Sequence, residues 1–311
     1  MQHSVRPIFL IFFGAVLGLC AAAGAVAFNW VVRRMISKAW PPRWLKVMVR
    51  IGIVALPVVM ALGVLYGFYV EPYWVKVERV HITCPKLPRG MCPIRIIQIS
   101  DLHSDAWTRC EDQLPQIIAA ERPFLIAFTG DAVNSPDGVP TFNRCIGRIA
   151  MLAPTFVSYG GNDEWYAYKH GLFKGTSVRE LNGKVHDMEV AGMPIVIAGV
   201  AGGRHIPKEL RERSDALTVL LCHYPEEAAR AVAGSNVDLC LAGNTHGGQV
   251  CLPFYGSVCG SERDRRYLGG LYRVDRTWLY VNRGIGMSNA GPAMRFGARP
   301  EVTVIEISPP E

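Results

Sequence analysis

The hydrophobic pattern of the chain changes character near residue 75. Before that point the apolar runs are long. Ile8 to Phe28 carries no charge, and neither does Ile51 to Val70, with Pro57 inside it. Each is long enough to cross a bilayer, and membrane helices tolerate an internal proline. Two membrane spans, about 8–28 and 51–70, are the expectation. A signal peptide for the first run and a buried helix for either are the alternatives. After residue 75 the runs are short and β-branched. Val75–Thr83, Ile94–Ile99, Phe124–Phe128, Thr155–Tyr159, Met193–Gly199, Leu217–Cys222, Val237–Ala242, Trp278–Asn282 and Val302–Ile307 read as strands. The first two are expected to pair as a hairpin. Helical spacing appears in Glu111–Glu121, Thr141–Met151 and Pro225–Ala233. Strands alternating with helices predict a layered α/β domain, and the change of pattern predicts a boundary between an anchor at 1–74 and a domain at 75–311.

Five of the short runs end in a residue able to hold a metal. Ile94–Ile99 leads into Asp101 and His103, Phe124–Phe128 into Gly130-Asp131, and Thr155–Tyr159 into Gly160-Gly161-Asn162-Asp163. Leu217–Cys222 leads into His223, and Val237–Ala242 into Gly243-Asn244-Thr245-His246-Gly247-Gly248-Gln249. The carboxyl ends of strands are where open α/β sheets place their chemistry. Asp101 and His103, one residue apart, can reach a single divalent cation through carboxylate oxygen and imidazole nitrogen. Alone the pair is a weak signal; the recurrence gives it weight. His81, His170, His186 and His205 lie outside these strand ends and read as surface or packing residues, although His170 or His205 could still supply a displaced proton donor.

The order Asp-x-His, Gly-Asp, Gly-Asn, His, Gly-x-x-His resembles the calcineurin-like metallophosphoesterases. It is most similar to their membrane-anchored branch, whose last motif reads Gly-His-Thr-His-Gly-Gly-Gln. The resemblance runs from about Val75 to the C-terminus and takes in Tyr280–Gly286 and Arg299–Val302. It implies a four-layer α/β sandwich, two mixed β-sheets flanked by helices, preceded here by two transmembrane helices. It also implies two divalent ions, Mn²⁺ first, with Mg²⁺, Fe or Zn²⁺ as alternatives. By resemblance Asp131 bridges the ions. Asp101, His103 and His246 complete the first site, and Asn162 and His223 the second. Two positions depart from the pattern. Asn244 stands where an imidazole would ligate the second ion, and its amide oxygen is a weaker ligand. Asp163 stands where a histidine usually attends the leaving group, which makes it the catalytic candidate. Arg283 could meet a substrate phosphate.

Composition refines this picture in two places. The chain has 311 residues and a formal net charge of +7. Arg6, Arg33, Arg34, Lys38, Arg43, Lys46 and Arg50 account for all of it, because no acid occurs before residue 51. The remainder is near neutral, so the basic charge does not argue for a nucleic-acid groove in the domain, and no nucleic-acid partner is expected. Six of those charges, with Trp30, Trp40 and Trp44, lie between the two apolar runs, a composition suited to a membrane interface. The positive-inside bias then puts the domain on the extracytoplasmic side; the alternative is a loop that binds anionic headgroups. Nine cysteines include two loop-spaced pairs, Cys84/Cys92 and Cys251/Cys259. These could form disulfides in an oxidising compartment or remain thiols.

The functional expectation is a membrane-anchored, metal-dependent hydrolase of a phosphodiester or pyrophosphate bond. Its partners are the bilayer and a phosphorylated, lipid-linked small molecule. Relatives in this branch act on UDP-2,3-diacylglucosamine in lipid A synthesis, although a nucleotide-linked substrate is cytoplasmic and conflicts with export. The alternative is a non-catalytic metal-binding membrane protein with an eroded second site.

Overall fold

The computed structural model describes residues 43–201, 206–258, 264–288 and 293–310, together with residues 18, 24, 25, 28, 29, 32 and 33. The chain divides into two compact units, Met1–Tyr69 and Val70–Glu311. In the first, helix α1 (Arg43–Tyr69) contains Pro57. Its Ile51, Leu56, Val58, Val59, Leu62 and Leu65 are exposed. A helix that is apolar all round needs apolar surroundings. Among the described residues one stretch, Ala55–Tyr73, is long and apolar enough to cross a membrane. This stretch overlaps the second of the two expected spans; most of 8–28 and of the basic loop lies outside the described residues.

The second unit holds two six-stranded sheets. The first is ordered β1 (Lys76–Thr83), β14 (Glu301–Ser308), β2 (Ile94–Ile99), β3 (Leu125–Phe128), β4 (Thr155–Val157), β5 (Arg179–Glu180). The second is ordered β12 (Gly270–Val274), β13 (Thr277–Val281), β9 (Leu239–Ala242), β8 (Leu217–Cys222), β7 (Met193–Val200), β6 (Val185–Val190). Both are mixed: β2, β3 and β4 run parallel in one, β7, β8, β9 and β13 in the other, and each has an antiparallel pairing. A short ribbon, β10 (Cys251–Leu252) with β11 (Gly256–Ser257), stands apart.

The inner faces meet through Ile96, Leu125 and Phe156 of one sheet and Ile197, Val219 and Leu241 of the other. Helices α2 (Leu114–Ala120) and α3 (Val139–Ala150) cover the first sheet with Ile118, Phe142 and Ile146. Helices α5 (Lys208–Glu212) and α6 (Pro225–Val232) cover the second with Leu210, Ala228 and Val232. This is the expected four-layer sandwich. Strands covered on both faces take mostly apolar side chains, which is why β3 and β9 read as unbroken runs and β8 is interrupted by Thr218 alone, whose hydroxyl bonds Asn236 O.

One pairing departs from the sequence expectation. β1 and β2 do not form a hairpin, because β14 lies between them, parallel to β1 and antiparallel to β2. β14 is buried along most of its length, whereas β1 alternates and stays half exposed. The more apolar strand takes the interior position, and β1 is left at the edge. Cys84 and Cys92, in the connection, remain separate thiols, one buried and one exposed. Backbone bonds from Leu87 N–H to Cys84 O and from Met91 N–H to Pro88 O, each 3.1 Å, fold the loop instead. Cys259 lies outside the described residues.

Candidate metal centre

Five strand ends converge at one edge of the sandwich. The loop after β2 lies along the loop after β3: Asp101 N–H donates to Gly130 O at 2.8 Å, and His103 N–H to Asp131 O at 3.1 Å. The loop after β13 closes on the other side. Ile285 N–H donates to Ser100 O and Gly286 N–H to Asp101 O. Gly286 has to be glycine, because a Cβ there would collide with Leu102 O.

Asp101, His103, Asp131, Asn244 and His246 all have φ between 43° and 71°. Left-handed backbone at non-glycine residues is uncommon and clusters where function dictates geometry. Here it turns side chains from separate strands toward a common point.

Two sets of ligand atoms result, each with all members within 4.8 Å of one another: Asp101, His103 and His246, and Asp101, Asp131 and His223. His103 Nε2 lies 3.1 Å from His246 Nε2 and 3.4 Å from Asp131 Oδ2. His246 Nε2 is 3.6 Å from Asp101 Oδ1. His223 Nε2 is 3.4 Å from Asp131 Oδ2 and 4.0 Å from Asp101 Oδ1. Asp101 and His223 are fully buried, and Asp131 is half-buried.

His223 Nδ1 is 2.7 Å from Thr129 O and must carry the hydrogen of that bond. This orients Nε2 inward, where it is buried without a hydrogen-bond partner in the protein. A buried nitrogen lone pair aimed between two carboxylates, with its ring anchored by a backbone carbonyl, suits a metal ligand. Imidazole nitrogen with carboxylate oxygen matches Mn²⁺, Fe or Zn²⁺. The residues fit a divalent ion.

The charges fit as well. Burial alone would raise Asp131, but the facing His223 ring, with His103 and His246, holds it well below the usual carboxylate range. Burial, reinforced by Asp131, raises Asp101. Burial would lower His223, yet Asp101 and Asp131 carry it up to about 10. A metal at Nε2 needs the neutral imidazole, so its binding competes with protonation of His223. Burial, His103 and Arg295 push His246 well below its ordinary value, leaving a neutral ligand.

The sequence expectations fare unevenly at this centre. Asp101, His103, Asp131, His223 and His246 come together. Asn244 is half-buried, and its backbone N–H donates to both Asp101 oxygens at 3.1 and 3.0 Å. Asn162 is exposed at the start of α4 (Asp163–His170). The residue set against the Asp131 carboxylate is Gly161, where a Cβ would collide with Oδ1.

Asp163 is not at an open leaving-group position. It is buried, and its carboxylate accepts Asp131 N–H at 2.9 Å, Ala132 N–H at 2.9 Å and Gly160 N–H at 3.0 Å. Three converging amides draw it inward. It positions the loop that carries Asp131.

Arg283, the candidate for the substrate phosphate, is half-buried and paired with an acid. Its Nε lies 3.1 Å from Glu301, a buried carboxylate that also accepts from Tyr280 and Thr303. His81 pairs with Glu306, His186 packs on Phe156, and His170 packs against Trp165. His205 lies outside the described residues.

Sequence reasoning missed two supports. Arg295 is fully buried and donates to Gly286 O, Arg283 O and Ala298 O, with Nη2 3.2 Å from His246 Nδ1. Glu71 accepts Gly297 N–H at 3.0 Å and Ala298 N–H at 2.6 Å. An arginine within the apolar stretch Ala293-Met-Arg-Phe296 was the signal available for the first. Nothing local marks the second.

Gly161→Ala is expected to weaken metal binding by at least about tenfold, in the range seen when a metal ligand loses its support. Asp131 would have to swing away, and alanine strains the φ of 45°. Titration of the purified variant with Mn²⁺ checks this; wild-type affinity would contradict it.

Comparison with known proteins agrees with this geometry. Residues 94–248 match the profile described as calcineurin-like phosphoesterase. The uncharacterized metallophosphoesterase YkuE of Bacillus subtilis is 32% identical over 256 residues, covering 78% of this chain and 88% of that protein. Phosphodiesterase YaeI of Escherichia coli is 26% identical over 255 residues, covering 78% and 92%. A Danio rerio protein named transmembrane protein with metallophosphoesterase domain is 26% identical over 274 residues, covering 80% and 61%.

Proposed function

Because the chain belongs to the calcineurin-like metallophosphoesterases, we propose that it is a divalent-metal-dependent hydrolase of a pyrophosphate or phosphodiester bond in a lipid-linked substrate. The observation that carries the reading is the pair of ligand sets sharing Asp101, with the inward lone pair of His223. A divalent ion held there supplies Lewis acidity, which lowers the pKa of an attacking water and offsets charge on the phosphoryl oxygens. The chain's own residues do the rest. Thr129 O and Arg295 fix the rings of His223 and His246, and Asp163 fixes the Asp131 loop.

The leaving-group preference follows from what the loop after β4 presents. Asp163 faces inward on three amides, and the exposed neighbour, Asn162, is a neutral amide that cannot donate a proton to a departing oxygen. A loop that presents no general acid to the departing oxygen makes a good leaving group matter more. A phosphate leaving from a pyrophosphate, or an aryl oxide, is a far better one than an alkoxide.

Two features support a lipid-linked substrate. α1 exposes apolar side chains all round. The β10–β11 ribbon, which follows the His246 loop directly, exposes Leu252, Phe254 and Tyr255. An exposed apolar tip beside a candidate active site is an interaction surface by default. The names phosphodiesterase and transmembrane protein, carried by two relatives, agree in kind. A nucleotide-linked diacyl sugar such as UDP-2,3-diacylglucosamine has both the pyrophosphate and the acyl chains. From the basic composition ahead of the second apolar run we infer that the domain lies outside the cytoplasm, a side that conflicts with a nucleotide-linked substrate; a reporter fused after Glu311 reads that side directly.

The test is turnover of the full chain with added Mn²⁺ on matched pyrophosphate, aryl diester and alkyl diester substrates. Pyrophosphate and aryl rates are expected to exceed the alkyl rate by at least about a hundredfold, the low end of what a general acid contributes, and EDTA to remove all three. Equal rates would remove the leaving-group argument. No turnover on any substrate, with metal bound, would favour the non-catalytic alternative.

A further inference from the structure

We propose that the β10–β11 ribbon is a membrane contact in its own right: its tip enters the headgroup region of a phospholipid bilayer and keeps the metal centre at that surface. This rests on reading Ala55–Tyr73 as a membrane span. It goes further by putting a second, distant segment of the chain into the same bilayer.

The tip has the wrong surface for water. β10 and β11 pair antiparallel, and the connection between them carries Phe254 fully exposed, with Leu252, Tyr255 and Val258 exposed beside it. No Asp, Glu, Lys or Arg occurs from Val250 to Ser261. Strand edges that face water are ordinarily guarded by charge. Phe254 also holds φ at 65°, a left-handed conformation that is costly for a bulky side chain. Among the described residues its ring covers nothing in return.

The root of the ribbon fixes where the tip sits. Ser257 Oγ donates to Gly248 O at 3.3 Å and Cys251 Sγ to Gly247 O at 3.1 Å, so the ribbon rises directly from the loop that carries His246. On its other flank Phe296 N–H donates to Gln249 O, and Cys251 N–H to Phe296 O. The next residues bind the turn Glu71–Tyr73: Gly297 N–H and Ala298 N–H donate to Glu71, and Arg299 stacks 3.8 Å over the Trp74 ring. The apolar stretch ends on that turn, where Val70, Tyr73 and Trp74 are exposed. Tyrosine and tryptophan at the end of an apolar span mark the headgroup level. One short segment, 296–299, therefore joins the ribbon root to the point where the chain leaves the bilayer.

This placement selects a bilayer over a second copy of the chain as the occupant. Extended chain from Cys251 to Phe254 reaches about 10 Å, and apolar faces sink roughly 5–10 Å at a membrane interface. The phosphoryl group of a lipid-linked substrate lies at the same level, so it meets the centre while its acyl chains stay in the membrane.

The experiment uses the full chain in nanodiscs of phosphatidylethanolamine and phosphatidylglycerol. The photo-crosslinker p-benzoylphenylalanine is placed singly in place of Phe254, Tyr255 or Met151. Met151 is also exposed, but it follows α3 and precedes the amino end of β4, at the edge opposite the metal centre. Phospholipid adducts are expected at 254 and 255 and none at 151, read by mass spectrometry of the peptides. Thermal melts verify that each variant folds, and the two ribbon positions report independently. Absence of lipid adducts at both ribbon positions would overturn the proposal, as would equal yields at all three. Adducts to a second copy of the chain would overturn it in favour of a dimer contact. Alkaline carbonate extraction of cell membranes separates the proposal from its premise. A chain that is retained but gives no ribbon adduct sinks the ribbon contact alone; a chain that is released sinks the span with it. Metal-dependent turnover of a water-soluble aryl diester reports on the hydrolase reading separately from both.

Discussion

Asp131→Ala is expected to abolish turnover and most metal binding. Asp131 Oδ2 lies 3.4 Å from both His103 Nε2 and His223 Nε2, so it faces one histidine of each ligand set. Its removal takes a donor from each position and the counter-charge from both rings. Lewis-acid stabilisation of a phosphoryl transition state is worth several kcal/mol. At about 1.4 kcal/mol per tenfold, the rate should fall by about a thousandfold or more. The fold should survive, because Asp131 is half-buried and its loop remains held through backbone bonds to Asp163 and from His103. Elemental analysis and a thermal melt on the same sample separate the two effects. Wild-type stoichiometry and rate would show that the metal is bound elsewhere.

Asp163→Asn should also cost heavily, and for a different reason than the sequence suggested. Both carboxylate oxygens are engaged, Oδ2 by the amides of Asp131 and Gly160 and Oδ1 by that of Ala132. Asparagine has one oxygen, so its NH₂ group must face an N–H in a buried site. Leaving such a donor unsatisfied costs about 1–3 kcal/mol. Burial, with Asp131 nearby, raises the Asp163 pKa to about 7, so the carboxylate is already near the limit of what the site sustains. A loosened Asp131 loop should lower Mn²⁺ affinity by about 10–100-fold, as for other groups that orient metal ligands. The dependence of rate on leaving-group pKa should not change. A proton donor would behave in the opposite way: steeper leaving-group dependence with unchanged metal affinity would restore Asp163 to a catalytic role.

The contrast between Asp131 and Asp163 shows what was readable along the chain. An apolar run that stops at a polar residue identifies a strand and the residue it delivers, since both signals lie within a few positions of each other. Asp101, His103, Asp131, His223 and His246 were legible for that reason, as was the layered α/β class. The short motif Gly160–Asp163 was legible as a site but not in its register. Which of Gly161, Asn162 and Asp163 meets Asp131 depends on how the strand leaves the sheet, and on whether buried amides stand ready to take a carboxylate. Those amides belong to Gly160, to Asp131 and to Ala132, the last thirty-one residues away in sequence.

The same limit applies to the rest of the shell. Arg283 looked available for phosphate until Glu301 was found buried beside it. Glu71 carries no local sign of its role, because its partners are main-chain amides far along the chain, and Arg295 shows only its apolar surroundings. β14 gave a clear strand signal, yet only packing could put it between β1 and β2. Local hydrophobic period sets what each segment becomes and which residue it presents. Long-range burial of polar groups, each needing a partner, decides which way that residue points.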